Sequence, residues 1–168
     1  MRIRSGDDHM KRLLLFAVLL AGFLSAPAHA QTKVGDWTVE KRGKDRHCDA
    51  SRGYNDADDE DRYHGIVFTY LTDRIVIELV YDGWEWENTG RILTADFSTD
   101  RDDIMKQSRW KVMNKVAVRG VFEFDQRVMD RLSSAKRLLL DFEEDEDESI
   151  EFEIPSAAEM LAALKNRK

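Results

Sequence analysis

A chain of 168 residues with 33 acidic and 26 basic side chains carries a formal net charge of −7 at neutral pH. Such a balance repels phosphate backbones and anionic lipid, which argues against nucleic acid or a membrane surface as partner. One cysteine, Cys48, rules out an intramolecular disulfide, so stability has to come from packing.

The first thirty residues read as an export signal that is removed from the mature protein. Lys11 and Arg12 supply positive charge, Leu13 to Leu24 supply an apolar stretch, and Ala28-His29-Ala30 after Pro27 is a cleavage site. A helix over that apolar stretch reaches only about 18 Å, short of the roughly 30 Å hydrocarbon core of a bilayer. A stable membrane span is therefore not expected after cleavage. Met10 is an alternative start, because the residues before it add Asp7 and Asp8 where a signal favours positive charge. With no cysteine after the apolar stretch, a lipid anchor is not expected either. Cleavage after Ala30 leaves a single domain over 31–168, with 22 basic and 31 acidic residues and a balance of −9.

From Val34 onward the dominant rhythm is period two, the mark of strands with one buried face. It is visible in the Gly-Asp-Trp-Thr-Val segment at Trp37, in the run around Cys48, and in Ile66, Phe68 and Tyr70. Ile75, Ile77 and Leu79 follow, then Trp84 and Trp86 alternating with Glu85 and Glu87. Val116 with Val118, Phe122 with Phe124, Leu138 with Leu140 and Phe142, and Ile150 with Phe152 and Ile154 complete about eight strand candidates. Arg119-Gly120 offers a bulge. A weak helical turn is expected over 100–107 after Thr99. A helix is expected after Asp125, with Val128, Met129, Leu132 and Ala135 at helical spacing. Ser156 and Glu159 form a capping-box pattern ahead of a C-terminal helix striped by Ala157, Met160, Leu161 and Leu164. Two acidic runs, Asp56 to Asp61 and Glu143 to Glu148, read as a long polar loop and a solvated hairpin loop. Strands followed by a short helix end both halves, an echo with too little identity to make a repeat.

Few residues suit catalysis. After cleavage only His47 and His64 remain, and the one nucleophile-and-base set on offer is Cys48 with His64 and a carboxylate. His47 adjoins Cys48, and neighbours on a strand point to opposite faces. Free cysteine packs like a small hydrophobe, so Cys48 is expected to be buried. No G-x-S-x-G elbow, C-x-x-C pair or G-x-G-x-x-G loop is present. The run from Asp56 fails the EF-hand pattern, with Asp61 and Val67 where glycine and glutamate belong. One cysteine and two histidines offer no zinc spacing. No catalytic, cofactor-binding or metal residue is therefore assigned, and no cofactor is expected. Trp37 is expected in the core. Trp84 and Trp86 are expected there too, with an exposed sugar or peptide platform as their other reading.

The opening VGDWTVEKR with Cys48, and the closing VFEFDQRVMDRLSSAKRLLLDF and IEFEIPSAAEMLAALKN, resemble small exported β-proteins of alphaproteobacteria, the invasion-associated locus B proteins. The chain departs from them in lacking their further cysteines. The resemblance implies a periplasmic or surface β-sandwich without known catalysis, and no functional residue is carried over.

The expected fold is mainly β, an antiparallel β-sandwich with two or three short helices, one of them C-terminal. The expected role is a periplasmic or secreted, non-enzymatic module that binds a protein or envelope component. The alternative is an inhibitor of, or an enzyme acting on, cell-envelope polymers. An inhibitor would present a loop such as Gly53 to Asp61 to a basic cleft.

Overall fold

A computed structural model of the chain describes residues 31–42, 47–57, 62–123, 125–143 and 149–166. The expected signal peptide, Phe124 and most of both acidic runs lie outside those residues. Ten strands hydrogen-bond into one sheet: β1 (Thr32–Val34), β2 (Trp37–Arg42), β3 (His47–Asn55), β4 (Tyr63–Tyr70), β5 (Arg74–Tyr81), β6 (Ile92–Thr99), β7 (Asp103–Asn114), β8 (Ala117–Glu123), β9 (Arg137–Phe142) and β10 (Ile150–Glu153). Two helices complete the described chain, α1 (Gln126–Ser134) and the C-terminal α2 (Ala157–Asn166). The spatial order is β1-β2-β3-β4-β5-β8-β7-β6-β9-β10, and every neighbouring pair is antiparallel. The first five strands form a meander. β6, β7 and β8 form a second, and β9 returns through α1 to lie beside β6, the 4-1-2-3 order of a Greek key.

The period-two pattern is realised because one face of each strand turns to a shared interior. Ile66, Phe68 and Tyr70 on β4, Ile75, Ile77 and Leu79 on β5, and Leu138, Leu140 and Phe142 on β9 are all buried. Cys48 is 2% exposed, and Trp37 and Trp110 are fully buried. The sheet rolls so that its last strand faces its third. Arg52 on β3 donates from Nη1 to the Glu153 carbonyl at 3.0 Å, and the Tyr54 hydroxyl accepts the Glu153 N–H at 2.6 Å. Trp37 on β2 donates from Nε1 to the Pro155 carbonyl at 2.6 Å. No backbone ladder joins β10 to β1 or β3 among the described residues, so side chains close this seam. Helix α2 then packs on β1 to β4 and on α1.

Several local expectations change. Residues 103–107 belong to β7, not to a helical turn. Thr99 still organises the bend, with Oγ1 accepting the N–H groups of Arg101 and Asp102 at 3.2 and 3.0 Å. The Trp84 segment is not a strand. It is an extended crossover from β5 to β6, held by the Trp86 N–H on the Lys115 carbonyl at 2.8 Å. β8 runs through Gly120 without a bulge, pairing it with both Ile77 and Trp110. Glycine is required there because a Cβ would lie 2.6 Å from the Phe122 ring and 3.0 Å from that of Trp110. Asp125 does cap α1, accepting the Arg127 N–H at 2.8 Å. Ser156 precedes α2 at φ +52°, not in the extended conformation of a capping box, because the turn after Pro155 brings it against Gly35.

Trp37→Phe removes the donor to Pro155 and leaves a small void in the core. Urea unfolding should show a loss of about 2–4 kcal/mol. An unchanged midpoint would show that the indole bond does not hold the seam.

Candidate functional site

At one end of the rolled sheet the inner face changes from apolar to polar. β3 continues its inward positions Cys48 and Ala50 with Arg52 and Tyr54, β4 begins its inward row with His64, and β5 ends its own with Tyr81. Cross-strand pairing places Tyr54, His64 and Tyr81 side by side, since His64 is opposite Tyr54 on one side and Tyr81 on the other. Tyr54 stacks on the imidazole at 5.1 Å between centroids with planes 18° apart, and Tyr81 leans on it at 4.9 Å. Phe152 from β10 meets it edge-on at 5.4 Å. The far face of Tyr54 is covered by the Arg52 guanidinium, 4.0 Å from the ring centre.

His64 is thereby enclosed, with its side chain 6% exposed, and neither ring nitrogen has a hydrogen-bond partner among the described residues. Nε2 lies 3.6 Å from Oδ2 of Asp56, beyond hydrogen-bonding distance. Burial pushes the imidazole pKa below its ordinary value, and the neighbouring carboxylates Asp56 and Asp82, with the Glu151 backbone carbonyl, only partly oppose this. The folded ring is therefore held towards its neutral form. The same burial raises the Tyr54 phenol, which keeps it a neutral hydroxyl.

The enclosed ring opens on a pocket of about 390 Å³. Its walls come from the β3–β4 hairpin at Asp56 and Ala57, from Ser149 just ahead of β10, from Ile150, Glu151 and Glu153 on β10, and from Arg137 on β9. Glu151 takes Nη1 of Arg137 at 2.6 Å, and Glu153 takes Nη2 of Arg52 at 3.1 Å. Backbone alternation sends Phe152 towards β9 and Glu151 and Glu153 towards the seam, as the Ile154 N–H bond to the Lys136 carbonyl at 2.7 Å confirms for this register. Glu153 spends both backbone groups on Tyr54 and Arg52, whereas the Glu151 backbone carbonyl lies against His64.

The catalytic set considered from sequence does not assemble. Cys48 pairs with Tyr70 at the far end of β4, six residues from His64, or about 20 Å along the strand. His47 begins β3 beside Cys48 and is half-buried. Of the supposed loop from Gly53, residues 53–55 belong to β3, and only the tip after Asn55 is a connection. Trp84 is 4% exposed and Trp86 half-buried, packed against each other at 5.7 Å and against Phe142, so they cover the core and form no open platform. Among the described residues no three His, Cys, Asp or Glu side chains cluster to hold a metal, and no helix is long and apolar enough to cross a membrane. Sequence reasoning had treated His64 only as a possible base. The signal that places it is its position two residues before Ile66, on the buried face of β4.

The chain matches no protein-family model, curated protein or solved structure.

His64 makes stability depend on pH with a definite sign. Above its ordinary value of 6.5 the ring is neutral both folded and unfolded, and its packing is undisturbed. As pH falls from there through the lower folded value, the unfolded chain binds the proton first, so stability declines. Asp96 and Asp100, held below 3.8 by backbone N–H donors, begin to cost stability only in more acid solution. The urea midpoint should therefore fall between about pH 7 and pH 5, and His64→Phe should flatten that interval. A wild-type midpoint that is level across it would contradict the buried neutral imidazole.

Proposed function

We propose that the protein is an exported, envelope-associated binding module without catalytic chemistry, of the kind the invasion-associated locus B resemblance implies, with the seam pocket as its ligand site. The observation that carries this reading is His64: a side chain almost wholly enclosed, two nitrogens without hydrogen-bond partners among the described residues, and a cavity in front of them. A buried polar atom left unbonded costs about 1–3 kcal/mol, a deficit that a ligand with matching donors and acceptors removes. Tyr54 and Tyr81 close both faces of the ring, and its edge meets a carboxylate. That arrangement supports the imidazole as the recognition group, and the Cys48 thiol stands at the opposite end of the sheet.

The experiment is recovery of tagged wild-type protein and His64→Phe from the periplasmic fraction after mild cross-linking. The expected protein begins at Gln31, and a ligand or partner accompanies the wild type but is lost with the variant. Retention of residues 13–24 would overturn the export reading. Identical recoveries would remove the pocket from it. Fragments released from purified envelope polymer by the wild type alone would favour an enzyme.

A further inference from the structure

We propose that acid opens the seam as a local event: when His64 takes a proton, Tyr54 and β10 part at Glu153 while the rest of the sheet stays folded. The inference rests on how the sheet closes, and it holds whatever the pocket binds. Tyr54 serves two ends at once. Its ring covers one face of the imidazole at 5.1 Å between centroids, and its hydroxyl accepts the Glu153 N–H at 2.6 Å. Water reaches that face of His64 only if Tyr54 moves, and Tyr54 moves only by releasing Glu153. Tyr81 on β5 and Phe152 on β10 cover the ring from its other sides.

An imidazolium brings a second N–H donor and a full charge, both of which have to be hydrated or paired. On β3 and the turn after it, Arg52 is paired with Glu153 and lies on the far face of Tyr54 as a like charge. Asp56 stands 3.6 Å from Nε2 and has a further partner of its own. On β10 and β9 the Glu151 carboxylate is paired with Arg137, and the Glu151 carbonyl lies against the ring. Asp82 follows β5, and Arg62, ahead of β4, lies 5.8 Å from the centre of the Tyr81 ring. Asp56, Asp82 and the Glu151 carbonyl favour the proton, yet neither nitrogen reaches a hydrogen bond among the described residues. Burial outweighs them, so the enclosed ring holds a proton less well than a hydrated one. Acid therefore favours any state in which His64 is hydrated. The unfolded chain is one such state, and an opened seam is the nearer one. Opening breaks only the bonds that Arg52 and Tyr54 make to Glu153. β10 keeps its ladder to β9, and Trp37 keeps the Pro155 carbonyl. A local opening that exposes little surface lies below global unfolding in free energy.

Native-state hydrogen exchange in low urea, at about pH 7.5 and about pH 5.5 and corrected for intrinsic rates, tests this. The Glu153 amide should lose protection about tenfold at the lower pH, the linkage limit for one group that titrates near 6.5 once open. That opening should depend little on urea, whereas the Phe68 amide, on β4 between two paired strands, should follow urea as global unfolding does. The Trp37 indole proton should stay protected at both pH values. His64→Phe should remove the acid effect at Glu153, with near-ultraviolet circular dichroism reporting whether the variant keeps its packing. If it does not, the ring titration of wild-type His64 followed by NMR carries the test, and its midpoint should lie below 6.5. Equal urea dependence at Glu153 and Phe68 overturns the proposal, because the seam then opens only by global unfolding. An acid effect that persists in a packed His64→Phe, or a wild-type midpoint at or above 6.5, overturns it too. A partner lost with His64→Phe in the cross-linking experiment would then still leave the binding reading standing.

Discussion

Everything about this molecule depends on how a ten-stranded sheet rolls up without its ends pairing. A fully closed barrel satisfies its last edge with backbone bonds. Here the edge of β10 is met by side chains: Arg52 and Tyr54 take the carbonyl and amide of Glu153, and Trp37 takes the carbonyl of Pro155. These bonds fix where β10 lies, and with it the ring of Phe152 in the core and the start of α2 against the first strands.

The pocket is a by-product of the same closure. Side chains bridge a wider gap than a backbone ladder does, and they bridge it only where Arg52 and Tyr54 reach. One pair of residues further along β10, at Glu151, the gap is left open, and the inward position of β4 that faces it is His64. A histidine in that place is costly unless something bonds it, for burial strips its water and the surrounding rings offer no hydrogen bonds. Structural economy alone would place an apolar residue there, as at Ile66 and Phe68 on the same face. On the proposed reading, the polar end of the interior is recognition built onto a closure device.

Much of the fold was legible because burial imposes alternation. β4, β5, β9 and β10 announce themselves through bulky residues at every second position, and the acidic run between β9 and β10 marks their hairpin. Helix α1 was equally visible, since Asp125 caps it and Met129 and Leu132 point inward. β6 and the first half of β7 were not. β6 alternates through Leu93, Ala95, Phe97 and Thr99, a row diluted by small and polar residues, while the opening of β7 is exposed apart from the half-buried Ile104 and breaks register against β6. Trp84 and Trp86 misled in the opposite direction, because a crossover lying over the core also buries every second residue without joining a ladder. The site was the least legible part. Cys48 and His64 lie on adjacent paired strands, yet only the register shows that they stand at opposite ends, and nothing in the sequence says which edge β10 will approach.

Amide hydrogen exchange resolved by residue along β10 tests the side-chain closure most directly. If Tyr54 caps Glu153 and the seam then opens, the Glu153 amide should be protected and the Glu151 amide, two residues away on the same edge, should exchange at least about a hundredfold faster. Equal strong protection of both, with backbone contacts from Glu151 across to β3, would mean a ladder closes the barrel, and there would be no pocket in front of His64.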